Sequence, residues 1–282
     1  GRTIPAVIVF NKVGLVFVLD RVTGKPIYEV EERPVPKSPV PVEQTSPTQP
    51  FPVKPRPLVP LNFEMKDINT VTPEIEAACR KWIADNNIEV AGGPFAPPAW
   101  GHSRVIFPSQ IGGPNWGGAA FNPALGLAFI QANGLGQVFG VQDPASGEVK
   151  KDDIVGTNEP GGRTGALSTT RPSGRFREPT TNMPCNAPPW GTLTAVNVNT
   201  GDIAWQVPIG VTDSLPEGKQ NTGRPGMGGA ISTASGLVFM GGTDDSRFRA
   251  LDAKTGKELW VVKLNASVMA DRKSTRLNSS HT

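Results

Sequence analysis

The stretch "ALDAKTGKELW" (250–260) decides the fold, because the chain has already written it once, as "AVNVNTGDIAW" (195–205). Both copies read Ala, any residue, Asp or Asn, two residues, Thr-Gly, three residues, Trp. The phrase fits a β-hairpin. Leu193, Ala195 and Val196 begin a strand, Thr200-Gly201 turn the chain, and Ile203-Ala204-Trp205 return. Glycine accepts the positive φ such a turn needs. The Asn or Asp ahead of the turn can bond nearby backbone. The closing Trp offers a large apolar area and one N–H donor, suited to docking against a neighbouring sheet. A weaker copy, "VLDRVTGKPIY" (18–28), has Tyr28 at the Trp position.

A second phrase also repeats. "NWGGAAFNPALGLAFIQAN" (115–133) parallels "GMGGAISTASGLVFMGGT" (226–243), with Trp116 opposite Met227 and a Gly-Gly pair after each. Two apolar strands joined by a short turn follow each pair. Joined together, the two phrases make a four-stranded unit of about 50 residues, the size of one propeller blade. A generic β-sandwich with coincidental turns is the alternative, and the matched eleven-residue spacing argues against it.

Composition agrees with short strands and many turns. The 282 residues include 32 Gly and 29 Pro. A formal charge of +3, dispersed along the chain, gives no basis for nucleic-acid binding. No stretch approaches the ~20 apolar residues of a membrane span. Cys79 and Cys185 cannot form a zinc cluster, and the only histidines are His102 and His281.

Residues 1–28 read as the end of one blade. Residues 29–70 read as a Pro-rich connection without helical or strand period. Residues 72–85, "TPEIEAACRKWIAD", predict a helix with Thr72 as cap and Pro73 in the first turn. Ile75, Ala78, Cys79, Trp82 and Ile83 form one apolar stripe on it. Strands are expected from near 104 to about 142, polar loop over 143–189, and blade sequence again over 190–264. The expected fold is all-β, a partial propeller with a 29–100 insertion carrying the helix and a second insertion at 143–189.

Taken together, "NKVGLVFVLDRVTGKP", "VEERPVP", "TSPTQPF", "NWGG", "PPWGTLTAVNVNTGDIAW" and "GGAISTASGLVFMGGTDDSRFRALDAKTGKELW" resemble the membrane-type quinoprotein dehydrogenases of the glucose and quinate group. The resemblance covers about 1–270 and implies part of an eight-bladed β-propeller, roughly its C-terminal half. It implies pyrroloquinoline quinone (PQQ) and calcium as cofactors, a sugar or polyol substrate, and a membrane quinone as electron acceptor. It also implies a periplasmic protein, anchored by a membrane segment not present in this chain. A non-enzymatic propeller, such as an outer-membrane assembly factor carrying the same tryptophan phrase, is the rival reading. Lys12 and the long Pro-rich connection favour the enzyme.

The resemblance also assigns residues. Lys12 stands where the family has a lysine reaching the quinone oxygens; an ammonium there stabilises negative charge as hydride arrives. Otherwise it is a solvated turn lysine. Trp116 precedes a Gly pair that would let backbone approach a flat ligand; otherwise it packs in the core. Gln131 stands where relatives carry Asn and would contact the cofactor in modified form. Asp245 falls at a position near the cofactor; otherwise it is a strand-end turn acid. Cys79 and Cys185 are implied as a disulfide pair. The catalytic aspartate, the active-site histidine and most calcium ligands are expected upstream of residue 1, and Asp67 and Asp85 are poor substitutes. "DRKSTRLNSSHT" (271–282) reads as a non-native tail resembling translated adapter sequence. On this reading the chain alone is inactive and not stably folded.

Overall fold

The computed structural model describes residues 3–268 apart from 42, 91 and 143–169. The tail at 271–282 and the greater part of the 143–189 loop lie outside the described residues.

The chain opens with a hairpin of strands β1 (Ala6–Phe10) and β2 (Val16–Asp20). A second hairpin, β3 (Val30–Pro34) and β4 (Thr48–Pro52), lies in the Pro-rich connection, where the sequence reading expects no regular structure. The correction has a physical reason. Val53 N–H donates to the Glu29 carbonyl and Val35 N–H to the Pro47 carbonyl. With period two, the nitrogens of Pro34, Pro50 and Pro52 then face away from the partner strand, the one side where proline costs no ladder bond. A 3₁₀ turn (Met65–Asp67) precedes helix α1 (Pro73–Asp85). Thr72 Oγ1 accepts from Ile75 N–H at 3.3 Å as the N-cap, and Ile75, Cys79 and Ile83 are buried.

Short strands β5 (Ala99–Trp100) and β6 (Arg104–Ile106) follow, then β7 (Ala119–Asn122) and β8 (Leu127–Asn133). Strand β9 (Gln137–Val141) and β10 (Gly174–Arg175) leave that pair and form a separate sheet with β5 and β6. The chain returns as β11 (Gly191–Asn197) and β12 (Ile203–Pro208), completing the sheet β7-β8-β11-β12. The next sheet is uninterrupted: β13 (Ile231–Ser232), β14 (Leu237–Met240), β15 (Arg247–Asp252) and β16 (Glu258–Lys263). The repeat extends to the irregularities. Register shifts at Ala195/Val196 in one sheet and at Ala250/Leu251 in the other, the same position of the phrase. The insertion into the first sheet therefore begins at Gly134, earlier than the polar loop composition marks it.

Strand β8 is buried along its whole length, which explains its unbroken apolar run. Leu127 and Phe129 pack with Leu193, Val238 and Met240 toward the second four-stranded sheet. Ile130 and Ala132 pack with Val16, Leu58 and Val59 toward the β1–β2 hairpin. The two insertions share a third core of Phe63, Ile75, Ile83, Val105, Phe176 and Trp190.

Two of the closing aromatics of the phrase, Trp205 and Tyr28, link neighbouring sheets. Trp205 Nε1 donates to the Ala253 carbonyl at 3.0 Å. Tyr28 Oη donates to the Val198 carbonyl at 2.9 Å, the same position one repeat earlier. Each ring lies on the turn glycine of the next sheet. A Cβ on Gly256 would stand 2.7 Å from the Trp205 ring, and one on Gly201 would stand 2.9 Å from the Tyr28 ring. Glycine at this turn thus meets two demands at once, a positive φ (+74° and +71° at Gly201 and Gly256) and a seat for the aromatic.

Candidate functional site

The β1–β2 turn is closed by its own asparagine. Asn11 Oδ1 accepts from Leu15 N–H at 3.0 Å, and Gly14 N–H donates to the Asn11 carbonyl at 3.0 Å. Lys12 projects from the tip and is exposed. Its carbonyl accepts from Gly113 N–H at 2.7 Å, and its Nζ donates to the Ile111 carbonyl at 3.1 Å. A Cβ on Gly112 would fall 2.9 Å from Lys12, so only glycine lets segment 111–113 close onto this turn.

The same Ile111 carbonyl accepts from Asn115 Nδ2 at 2.8 Å, and Asn115 Oδ1 accepts from Trp116 N–H at 2.9 Å. The Lys12 ammonium and the Asn115 side chain that holds Trp116 N–H are thereby tied to one carbonyl. Trp116 is 60% exposed, so it does not pack in the core. Of the Gly pair that follows, Gly117 serves the protein itself: a Cβ there would stand 2.4 Å from the Met227 carbonyl and the Gly229 nitrogen. Backbone packs on backbone where the two Gly-Gly phrases meet. Gly118 faces open space.

Gln131 and Asn133 are the two polar side chains of buried strand β8. Gln131 is 3% exposed and donates from Nε2 to Asn133 Oδ1 at 3.0 Å. Asn133 Nδ2 donates to the carbonyls of Gly226 at 2.9 Å and Gly113 at 3.2 Å, and its Oδ1 accepts from Gly226 N–H at 2.8 Å. Asn133 therefore ties the segment under Lys12 to the next sheet, and Gln131 holds Asn133. Sequence reasoning passed over Asn133, although a second polar residue at i+2 in an apolar strand was a signal.

Asp245 is spent inside the protein rather than presented to an open face. Its carboxylate accepts from Arg249, from Thr243 Oγ1 at 2.7 Å and from Val211 N–H at 3.0 Å, and both it and Arg249 are buried. Burial pushes this carboxyl up, but the bonds from Arg249, Thr243 and Val211 outweigh it and hold it below the ordinary range. Its neighbour Asp244 lines a cavity of about 200 Å³ with Ile111, Arg175, Gly226 and Met227, and pairs with Arg224 at 2.6 and 2.8 Å. Lys12, on the β1–β2 turn, is thus bonded to the segment that carries Trp116, and Gln131 reaches that segment through Asn133.

The family model for the PQQ glucose/ethanol/alcohol dehydrogenase β-propeller domain matches residues 1–277. The chain belongs to this dehydrogenase propeller family. It is 36% identical over 275 residues to a probable quinate dehydrogenase (quinone) of Xanthomonas campestris pv. juglandis, covering 94% of this chain and 34% of that protein. It is 33% identical over 289 residues to quinoprotein glucose dehydrogenase A of Acinetobacter calcoaceticus, covering 99% of this chain and 35% of that protein. The chain thus spans about a third of the length of these relatives. A europium-containing methanol dehydrogenase shares the fold, with a TM-score of 0.51 at 21% identity over 95% of this chain and 34% of that one.

In this dehydrogenase propeller the other acids considered from sequence are occupied elsewhere. Asp67 Oδ2 accepts from Glu64 N–H at 3.0 Å in the 3₁₀ turn, and Asp85 pairs with Lys81 at 2.7 Å on α1. Among the described residues no group of three His, Cys, Asp or Glu is placed to hold a metal ion. No helix among the described residues is long and apolar enough to cross a membrane. Cys79 on α1 and Cys185 in the second insertion are joined as a disulfide, with Cα atoms 5.5 Å apart.

Proposed function

We propose that the chain is part of a PQQ-dependent dehydrogenase that oxidises a sugar or polyol and passes the electrons to a membrane quinone. The reading is supported by the relatives' names, which favour it over the non-enzymatic propeller. The observation that carries it is the exposed Lys12 ammonium, held at 3.1 Å on the Ile111 carbonyl, on the segment that presents Trp116. When bound, PQQ supplies a quinone that accepts two electrons. The residues on this segment fit such a group. Lys12 offers a positive charge, Trp116 an uncovered flat ring, and Gly118 an approach without a side chain.

Lys12 has no ion-pair partner among the described residues, so its charge is available to stabilise negative charge building on a quinone oxygen. Trp116 offers an aromatic face to a flat ligand. Gln131 acts as a positioning residue: it holds Asn133, which holds the segment that packs on Lys12 and leads to Trp116. Asp245 is assigned to holding Arg249 within the last sheet. We assign 1–270 to the propeller, with one insertion at 29–100 and a second that starts at Gly134 and runs to about 189, and the whole protein to the periplasmic face of a membrane.

The test is Lys12→Ala in the whole protein carrying these residues. Turnover of glucose or quinate is expected to fall about 100-fold or more, the scale of losing one preorganised donor. Near-normal turnover would show a solvated turn lysine and overturn the assignment. Trp116→Ala is expected to weaken cofactor binding, read by titration.

A further inference from the structure

Ile111, whose carbonyl holds the Lys12 ammonium, lines two hollows of about 200 and 250 Å³. Arg175 lines both of them with it. Arg175 stands on β10, which is fixed by pairing with Gln137 and Val138 of β9, while the residue itself is exposed. Among the described residues its guanidinium has no ion-pair or hydrogen-bond partner.

The charge here is one-sided. Asp244 is the only carboxylate lining either hollow, and Arg224 already holds it with two bonds. Arg177 lies near enough to feel these groups. Burial, then the like charges of Arg175 and Arg224, push its guanidinium below the ordinary range, against the pull of Asp244. Lys12, Arg175 and Arg177 are thus three cations without a carboxylate of their own among the described residues. An anion held among them would relieve that repulsion. Arginine suits a carboxylate in particular, because its planar fork matches the two oxygens.

We propose that Arg175 is a specificity residue of the reaction proposed above: it pairs with a carboxylate on the substrate and favours a hydroxy acid over a neutral sugar. The proposal rests on that dehydrogenase reading. A substrate lying along Ile111 then places its carboxylate at Arg175 and its alcohol toward the Lys12 face. PQQ also carries carboxylates. Hollows of about 200 and 250 Å³ are below the usual range for a drug-sized ligand, so they suit a one-ring acid better than a three-ring cofactor.

The test compares quinate, which has a carboxylate, with glucose, which has none, in the whole protein loaded with PQQ. Wild type should favour quinate. Arg175→Gln should lower the ratio of kcat/KM for quinate over glucose about ten- to hundredfold, the range for one hydrogen bond to a charged group. Arg175→Lys should recover part of that ratio. A second readout needs no turnover. Cyclohexanecarboxylate has no alcohol to oxidise; calorimetry should show it binding the loaded wild type, more weakly at high salt, and about ten- to hundredfold more weakly in Arg175→Gln. Thermal melts of the variant should match wild type, because the side chain it loses holds nothing in the protein. Oxidation that favours glucose, or a ratio unchanged in Arg175→Gln, would overturn this proposal and leave the dehydrogenase reading standing. So would a loss of PQQ affinity in Arg175→Gln as large as the loss for quinate, because the carboxylate would then be the cofactor's. No PQQ-dependent oxidation of either compound would overturn the dehydrogenase reading, and this proposal with it.

Discussion

Replacing Gly256 with alanine tests the link between the repeated phrase and the packing of one sheet on the next. Two costs are expected. Gly256 has φ of +71°, where an L side chain costs about 1–2 kcal/mol. The new Cβ would also lie 2.7 Å from the Trp205 ring and within 3.0 Å of two more of its atoms. The ring cannot swing aside without giving up its 3.0 Å bond to the Ala253 carbonyl, so overpacking adds about 1–3 kcal/mol. The expected destabilisation is about 2–5 kcal/mol. A double-mutant cycle separates the two parts. In a Trp205→Ala background no ring remains to be displaced, and Gly256→Ala should cost only the φ part, about 1–2 kcal/mol. The coupling is then about 1–3 kcal/mol. Equilibrium urea unfolding of the whole protein measures it; where unfolding is irreversible, hydrogen exchange at amides 251–257 does. Costs that add to within about 0.5 kcal/mol would show that the ring is not seated on the glycine.

Gly201→Ala should behave likewise through Tyr28, whose ring lies 2.9 Å from the same Cβ position, and a Tyr28→Ala background should relieve it. Asp245→Asn leaves buried Arg249 with Glu258 as its remaining carboxylate partner and should destabilise by about 1.5–3 kcal/mol; thermal melts would record it. Because the Asp245 carboxyl is held below its ordinary range, its stabilisation is complete above about pH 4 and fades as pH falls through the folded-state value; acid titration of Asp245→Asn should show that step missing. Reducing the disulfide opens a loop spanning 106 residues of sequence and should cost about 4–5 kcal/mol, seen as earlier melting with reductant and as thiols that label only after reduction.

Much of the fold was legible locally. The eleven-residue phrase marked its hairpins because a Thr-Gly turn and a closing aromatic are short-range chemistry, and the α1 stripe marked its buried face. The Pro-rich connection was misread as irregular because proline disfavours a strand only when its nitrogen faces a partner. Which way a nitrogen faces is a matter of register with another strand, not of composition. The departure of the chain at Gly134 was hidden for the same reason: β8 and β9 are both apolar, and only pairing shows that they belong to different sheets.

The site divided along that line. Lys12 and Trp116 were singled out by the resemblance, and their exposure goes with local turn chemistry, a closed asparagine turn in one case and a Gly pair in the other. Gln131 and Asp245 were singled out by position, and their environments depend on partners distant in sequence or on burial. Asp245 is claimed by Arg249, Thr243 and Val211, and Gln131 is turned inward onto Asn133. The repeat by itself determined the hairpins of the two blade-like sheets and which aromatics seek a neighbour. Only the tertiary structure decided where those aromatics land, which glycine receives backbone instead of ligand, and which polar groups are spent on partners inside the protein. Each of those outcomes depends on contacts between segments far apart in the chain.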